Sequence, residues 1–277
     1  MDHVRQVVVQ ARQKLYDSSG IYISGDQLAY FRRQIVSRIE ELHLESGSDY
    51  LEILDNGTEG VEIHHLLKKV FIGDTRFFSH RYQTTAIVDY ALPEIIHEKN
   101  CETVNIWFHG VGCGEGVYSL MLLLHEQNLR YGHNYKYNII GSDVDDDALK
   151  QAEQAWFRWS SVSHLDEGIR EKYFSKEEGN QHRFLPLPGQ TITFQQLIPH
   201  EIARWQQAEQ PDLILFQNIL MYYGLRQRQQ IAEQLHGRLS PSGYLFVGPT
   251  ESLYQVTDKF RIIHFTKTLG YKKPGNG

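Results

Sequence analysis

Cysteine is almost absent from this sequence, because Cys101 and Cys113 are the only two among 277 residues. So few thiols give neither a disulfide framework nor a Cys-x-x-Cys metal or redox pair, and we expect both to be reduced. Long apolar runs are also absent, since no stretch approaches the roughly 18 residues of a membrane span. The N-terminus lacks the apolar segment of a signal peptide. We therefore expect a cytoplasmic protein that does not insert into a membrane.

An excess of positive charge is lacking as well. The formal net charge is −6, which excludes a general basic field for gathering nucleic acid. Aromatic residues alternate with arginine at 156–159, a pattern that we attribute to a helix packing on its domain rather than to base stacking. The 14 histidines include no H-E-x-x-H spacing, so we expect no metal site. With 41% hydrophobic and 22% charged residues, the composition is that of a globular protein.

Residues 1–72 have the pattern of a small helical domain. Apolar residues recur at helical spacing from Val4 to Leu15, and a second apolar stripe begins near Asp26. Two shorter helices are predicted near 50–54 and 60–71. Three arginines lie off the second stripe, where such residues usually form a solvated face but are also suited to an acidic protein partner; they are Arg32, Arg33 and Arg38. We interpret residues 73–100 as a linker that contributes to a cofactor site.

From Thr103 onward, strand and helix patterns alternate, which indicates a parallel sheet covered by helices on both faces. The predicted strands are 103–109, 137–142, 192–194, 212–216, 244–248, 261–265 and 269–272. The predicted helices are 117–130, 147–155, 169–174 and 226–239. A second domain is therefore expected over residues 101–277.

The first predicted strand runs into four alternate glycines, Gly110, Gly112, Gly114 and Gly116, and a helical pattern follows. Such a strand, loop and helix is typical of nucleotide binding, because glycines let the backbone approach a ligand at a helix N-terminus. The dinucleotide fingerprint does not fit, since Glu115 occupies the position of its third glycine. A glutamate there repels a pyrophosphate and favours a ligand with cationic groups, such as S-adenosylmethionine.

Polar side chains follow two other predicted strands. Asp143 ends the second strand, where a carboxylate is placed to accept hydrogen bonds from ribose hydroxyls, and one of the aspartates 145–147 is expected to cap the next helix. Gln217 and Asn218 follow the strand 212–216 at the edge where ligands bind to parallel sheets. On this pattern alone, a turn residue is the more common explanation of Asn218.

Five blocks, in the same order along the chain, resemble those of the CheR-type chemoreceptor glutamate methyltransferases. Residues 73–79 resemble N-E-T-x-F-F-R, and residues 114–119 resemble G-E-E-P-Y-S. Residues 142–149 are similar to T-D-I-D-x-x-A-L, residues 216–223 to C-R-N-V-L-I-Y-F, and residues 248–253 to G-H-S-E-S-L. The resemblance extends over almost the whole chain.

This resemblance implies an α/β fold: a class I, Rossmann-like S-adenosylmethionine-dependent methyltransferase domain, a small all-helical N-terminal domain and a small antiparallel β insertion. We place the insertion at 174–194, where residues 179–180 suit a hairpin turn. The implied cofactor contacts are Thr75, Gly110, Glu115, Asp143, Gln196, Gln217 and Asn218. Tyr222 falls on the active-site tyrosine of the family.

The chain also departs from the family at several positions. The arginine that ends the first block is Ser79 here; Arg76 and Arg81 lie close in sequence and are candidates to replace it, and we place Arg76 on the catalytic side. The arginine before Asn218 is Gln217. An asparagine that follows the insertion has no clear equivalent, although Gln196 matches it if one residue is deleted.

The function implied is methyl-ester formation on glutamate side chains of a chemoreceptor's cytoplasmic helical domain, with S-adenosylhomocysteine as the second product. We expect a monomer that binds no nucleic acid and contacts the receptor through Arg32, Arg33 and Arg38. An ionised carboxylate needs no general base at neutral pH, so catalysis is expected to depend on orientation. The alternative is a catalytically impaired binding module of a chemosensory pathway that keeps cofactor or partner binding. A nicotinamide enzyme is disfavoured by Glu115.

Overall fold

The computed structural model describes residues 2–23, 25–56, 61–71, 76–177, 180–205 and 209–275. The chain divides into two compact units. The first comprises Met1–Ile72 and Leu220–Arg228, and the second comprises Gly73–Ile219 and Gln229–Gly277. No helix within the described ranges is both long and apolar enough to cross a membrane.

The first unit is helical. Its helices are α1 (Asp2–Ser19), α2 (Asp26–Glu41), α3 (Gly47–Asn56) and α4 (Val61–Val70). They form because apolar residues repeat at helical spacing, and Leu15, Phe31 and Ile35 are buried where these stripes meet. The segment 220–228 joins this unit through the backbone, since Tyr22 N donates a hydrogen bond to Tyr222 O at 2.8 Å.

A partly buried ion pair between Arg38 and Glu62 ties α2 to α4. Its guanidinium donates two hydrogen bonds of 2.9 Å to the two carboxylate oxygens of Glu62, and Tyr50 OH donates a third, also of 2.9 Å. Burial favours the protonated form of Glu62, but the hydrogen bonds from Arg38 and Tyr50 outweigh it and hold the pKa of this carboxyl below its ordinary value. Arg38 therefore holds its own domain together, and its role as a receptor contact stays a prediction. Arg32 and Arg33 are exposed.

The second unit contains a seven-stranded sheet with the order β6-β2-β1-β7-β8-β10-β9 among the described residues. Its strands are β1 (Thr103–His109), β2 (Lys136–Asp143), β6 (Gln190–Gln196), β7 (Leu213–Phe216), β8 (Tyr244–Val247), β9 (Arg261–Phe265) and β10 (Thr268–Lys272). Strands β6, β2, β1, β7 and β8 are parallel, and β10 runs antiparallel to both of its neighbours. The covering helices include α7 (Glu115–Tyr131), α8 (Asp146–Gln154) and α11 (Leu225–Arg238), whose first residues belong to the other unit.

The residues predicted as a linker are largely helical. Helix α5 (Arg81–Ala86), a π-helical turn (Ile87–Ala91) and α6 (Leu92–Lys99) follow one another without a break. The apolar side chains of this segment are buried in the core of the second unit, so tertiary packing stabilises a segment whose sequence we had interpreted as a connection.

A small antiparallel sheet, with the order β3-β5-β4, accompanies the large one. Its strands are β3 (Trp156–Arg158), β4 (Phe174–Glu177) and β5 (Gln181–Phe184); short helices α9 (Trp159–Val162) and α10 (Glu167–Tyr173) lie between β3 and β4. The predicted insertion at 174–194 thus contains β4 and β5, whereas its last residues belong to β6 of the large sheet. The helix expected at 156–159 is wrong over 156–158, because these residues pair with β5 in β3; Phe157 packs against Phe77, with ring centroids 4.8 Å apart.

Candidate active site

The predicted cofactor residues of the second unit follow the carboxyl ends of neighbouring strands. Strands β2, β1 and β7 lie side by side, and the residues registered at their ends are Ser142, His109 and Phe216. Backbone hydrogen bonds join the loops beyond these ends, since Gly110 N donates to Ser142 O at 2.8 Å. Ligands of parallel α/β sheets bind at this edge.

Two glycines of the loop after β1 are required by contacts within the protein. Gly110 has a φ of +86°, and a Cβ there would lie 2.7 Å from the carbonyl oxygen of Gln217. Gly114 has a φ of +104°, and its Cβ would lie 2.9 Å from the ring of Tyr118. Glycine is therefore required at 110 by the close approach of the loop after β7 and at 114 by a side chain of α7, and the admission of a ligand by these glycines stays a prediction.

Asp143 organises the same loop from the end of β2. Its Oδ2 accepts a hydrogen bond from Gly112 N at 2.8 Å, and its Oδ1 accepts one from Asp145 N at 3.0 Å. The side chain is only 8% exposed, and this burial raises its pKa, while the backbone N–H donors oppose the rise. Because a carboxylate has about four acceptor positions, Asp143 retains capacity for ribose hydroxyls.

The aspartates that follow have a structural role. Asp145 caps α8, since its side chain accepts hydrogen bonds from the backbone N–H of Asp147 and Ala148, which confirms the predicted cap. Lys150 forms ion pairs with Asp146 and Asp147. The three carboxylates lie close enough together to hold a metal ion, but this capping and pairing accounts for their proximity.

Glu115 opens helix α7 and is only 3% exposed. Its Oε1 accepts a hydrogen bond from Ser161 Oγ at 3.2 Å, so α9 helps to orient the carboxylate. A negative charge in the first helical turn is stabilised by the helix dipole. The loop thus places a buried carboxylate next to the glycines, which suits a cationic ligand and not a pyrophosphate.

His109 is fully buried beneath the edge and does not line an open cleft. Its ring stacks on Phe216 at 4.9 Å, and its Nδ1 lies 2.9 Å from Ser142 Oγ. Burial lowers the pKa of this imidazole to about 3, so the ring is neutral at physiological pH. His109 is a packing residue under the loop.

Gln196 and Gln217 have their amide groups engaged with the protein. Gln196 Nε2 donates to Val144 O at 2.9 Å and links β6 to the loop after β2. Gln217 is 6% exposed and donates a hydrogen bond to Gln83 Oε1, and Gln83 in turn donates to Val247 O at 2.7 Å. Where the family has an arginine, this chain therefore has a neutral, buried chain of amides that joins α5 to β7 and β8.

Asn218 is held at the start of the next loop by a residue to which the sequence analysis assigned no role. Its φ is +58°, in the left-handed region, and its backbone N–H donates to Glu251 Oε2 at 3.0 Å. The same oxygen accepts a hydrogen bond of 2.8 Å from Gly248 N. Neither Glu251 nor Gln83 could be singled out from the sequence: Glu251 lies in the block 248–253, whose resemblance to the family assigns it no role, and no pattern around Gln83 marks it.

Thr75, a predicted cofactor contact, lies outside the described residues. The predicted catalytic residues lie in several places. Arg76 and Ser79 are exposed, and Ser79 borders a cavity of about 20 Å³, room for one water molecule, that Gln217 also lines. Tyr222 belongs to the first unit, where it is 6% exposed and packs edge-to-face on Phe71 with ring centroids 4.9 Å apart.

S-adenosylmethionine, the cofactor that the resemblance implies, fits the chemistry of this edge. Asp143 offers acceptors for ribose hydroxyls, Glu115 offers a buried negative charge for an ammonium or sulfonium group, and no lysine or arginine stands in the glycine loop to attract phosphates. Asn218, half-buried beyond β7, adds an amide that both donates and accepts.

Comparisons with known proteins agree with this chemistry. The family model described as "CheR methyltransferase, SAM binding domain" matches residues 73–269, and "CheR methyltransferase, all-alpha domain" matches residues 9–71. The chain is 27% identical to "Chemotaxis protein methyltransferase 2" of Vibrio cholerae, over 96% of this chain and 92% of that protein. A protein of the same name from Pseudomonas aeruginosa is 23% identical, over 94% and 91%.

Among solved structures, the N-methyltransferase NodS of Bradyrhizobium japonicum in complex with S-adenosyl-L-homocysteine matches with a TM-score of 0.40 and 13% identity, over 76% of this chain and 98% of that one. This similarity is too low to support an argument. The family models, in contrast, together cover most of the chain. The protein therefore belongs to the CheR methyltransferase family, and its cofactor is S-adenosylmethionine.

Proposed function

We propose that this protein transfers a methyl group from S-adenosylmethionine to glutamate side chains on the cytoplasmic helical domain of a chemoreceptor, forming methyl esters. The observation that carries the proposal is the ordered match of both family domains, over residues 9–71 and 73–269. The printed names of the relatives, chemotaxis protein methyltransferases, support a role in chemosensory signalling.

On the cofactor side, we assign three principal contacts. Asp143 accepts hydrogen bonds from the ribose hydroxyls while its other acceptor positions hold the loop through Gly112 N. Glu115 faces the positive charge of the methionine portion, and its burial strengthens that attraction. Asn218 contributes an amide from the loop after β7. Gly110, Gln196 and Gln217 shape the surroundings of these groups, and Thr75 completes the set proposed from the family blocks.

When bound, S-adenosylmethionine supplies an electrophilic methyl group that a carboxylate accepts to give a methyl ester and S-adenosylhomocysteine. No residue of the protein has to remove a proton from the acceptor, because the acceptor glutamate of the receptor is already ionised at neutral pH. The task of the protein's own residues is to orient the acceptor and exclude water. We assign Tyr222, Ser79 and Arg76 to the acceptor side. Ser79 brings no positive charge, so Arg76, three residues before it, is our candidate cation for an acceptor carboxylate.

The test is transfer of a labelled methyl group from S-adenosylmethionine to the cytoplasmic fragment of the cognate receptor. We expect label on the fragment that alkali releases, because carboxylate esters hydrolyse readily in base. Tyr222→Phe, which removes only a hydroxyl, and Arg76→Ala should lower transfer while cofactor binding is kept.

The alternative from the sequence, a catalytically impaired binding module, gains no support from the relatives. It predicts a different result in the same assay: the wild type would bind the cofactor and the receptor fragment but leave no alkali-labile label.

A further inference from the structure

Glu251 contacts two neighbouring loops through one carboxylate oxygen. Its Oε2 accepts 3.0 and 2.8 Å hydrogen bonds from Asn218 N, after β7, and from Gly248 N, after β8. Glu251 N in turn donates to Gly248 O at 2.9 Å, which closes the turn that carries the carboxylate. One side chain therefore joins the ends of two parallel strands at the edge where the cofactor binds.

The backbone of Asn218 lies in the left-handed region. With a φ of +58°, it adopts a conformation that is uncommon for most residues with a Cβ but that asparagine tolerates, and the neighbouring contacts hold it there. The hydrogen bond that Asn218 N–H donates to Glu251 fixes the direction of this N–H group. The side chain of the preceding residue, Gln217, is hydrogen-bonded to Gln83 from α5. The turn is thus held on both sides, which leaves the Asn218 side chain little freedom.

The side chain of Asn218 is also restricted, because it lies against Gly248. A Cβ added at Gly248 would lie 2.8 Å from Asn218 Oδ1, 2.9 Å from Asn218 N and 2.7 Å from Glu251 Oε2. Glycine is therefore required at 248 by all three atoms. Asn218, Gly248 and Glu251 form one packed unit, which we call the Asn218 clamp.

We infer that Glu251 is a positioning residue of the methyltransferase, acting through Asn218: the clamp presets the Asn218 amide for the cofactor, so that binding does not have to order this turn. The inference rests on the proposed role of Asn218 as a cofactor contact. Preorganised groups raise affinity because less freedom is lost on binding. Glu251 itself does not need to touch the cofactor.

The test is calorimetric titration of the full chain with S-adenosylhomocysteine. Glu251→Ala removes the acceptor and should weaken binding about 10-fold or more. Glu251→Gln keeps a side-chain oxygen that accepts both N–H groups, and should stay within about 3-fold of the wild type. Gly248→Ala should weaken binding, whereas Gly168→Ala, where a Cβ meets nothing within 4 Å, is the matched control.

A double-mutant cycle separates positioning from direct contact. If Glu251 acts through Asn218, Glu251→Ala should add nothing to the loss already caused by Asn218→Ala. Additive losses would contradict the inference, as would wild-type affinity in a folded Glu251→Ala variant. Equal weakening in the Gln and Ala variants would show that charge, rather than the shared acceptor, is what matters, and would also overturn it.

The outcomes distinguish this inference from the proposed function. Failure of the wild type to bind S-adenosylhomocysteine would overturn both. If Asn218→Ala binds S-adenosylhomocysteine as tightly as the wild type, Asn218 is not a cofactor contact, and the proposed role of the Asn218 clamp is excluded as well. A third result is that the wild type binds, that Asn218→Ala weakens binding and that Glu251→Ala does not. This result would overturn only the positioning role of Glu251. Thermal unfolding without ligand checks that each variant is folded.

Discussion

At the scale of single residues, Asp143 combines two tasks that are usually separate. Its carboxylate anchors the glycine loop through the N–H groups of Gly112 and Asp145, and we assign it the ribose hydroxyls as well. Because each oxygen already receives one backbone donor, an amide cannot replace the carboxylate without turning its NH₂ group toward one of them.

This arrangement predicts that Asp143→Asn and Asp143→Ala both bind S-adenosylhomocysteine at least about 100-fold more weakly than the wild type, since charge-assisted hydrogen bonds are lost along with the loop's anchor. Calorimetric titration measures the effect. Asp147→Asn, at an exposed position in the same segment, is the control and should bind normally. Near-normal affinity in Asp143→Asn would contradict the assigned role.

The sequence allowed us to predict which polar residues follow the strand ends of the site. It did not allow us to predict which other residues these side chains and backbone groups contact. Asp143 and Asn218 could be singled out because parallel strands bring their carboxyl ends to one edge. The link from Glu251 to Asn218 joins residues 33 positions apart and has no local signature. The glycines were recognised, but the close approach of Gln217 to Gly110 depends on how β7 packs beside β1.

Among the helices and strands, the N-terminal helices were predicted well from helical periodicity. The segments 156–158 and 190–196 could not be assigned in this way, because their structure depends on the strands with which they pair. The segment Trp156–Arg158, expected to be helical, pairs with β5 in keeping with the strand preference of its aromatic residues. Gln190–Gln196, which overlaps the predicted insertion, continues the large sheet. Both outcomes depend on partner strands that are distant in sequence.

The ion pair between α2 and α4 gives a prediction about stability. The Glu62 pKa is lowered, so its stabilising effect is fully present above the ordinary value of 4.5 and is lost as the pH falls toward the lowered value. Glu62→Gln should therefore reduce the free energy of unfolding by about 2 kcal/mol at pH 7, and the difference should shrink below pH 4.5.

Urea unfolding at several pH values measures this difference. The matched control is Glu41→Gln, because Glu41 also pairs with Arg38, at 3.3 Å, but is 49% exposed. An exposed pair of this kind contributes under about 1 kcal/mol. Equal destabilisation by the two variants, or a difference that grows in acid, would contradict the account.

At the scale of the whole molecule, the prediction of fold class, family and cofactor is confirmed by the two matched domains and the mixed sheet. The order of five short blocks carried that prediction, because a family fold constrains which polar residues follow which strands. Partner surfaces are less predictable: the sequence grouped Arg38 with Arg32 and Arg33, and the difference between them appears only when Glu62 is seen beside Arg38.

The exposed pair Arg32 and Arg33 remains our proposed contact for the receptor fragment. Reversing both charges to glutamate should raise KM for the fragment about 10-fold while kcat is unchanged, and the effect should diminish at high salt. Steady-state methylation kinetics test this. Arg130→Glu, an exposed arginine of the second unit, is the control. An unchanged KM in the double variant would exclude this surface.

Methylation of glutamate can be observed by residue-resolved mass spectrometry of the receptor's cytoplasmic fragment after incubation with the protein and S-adenosylmethionine. We predict methyl esters on glutamate side chains, absent when Asp143→Ala replaces the wild type. Methylation of any other residue type, or an unmodified fragment in the presence of wild-type protein that binds the cofactor, would contradict it.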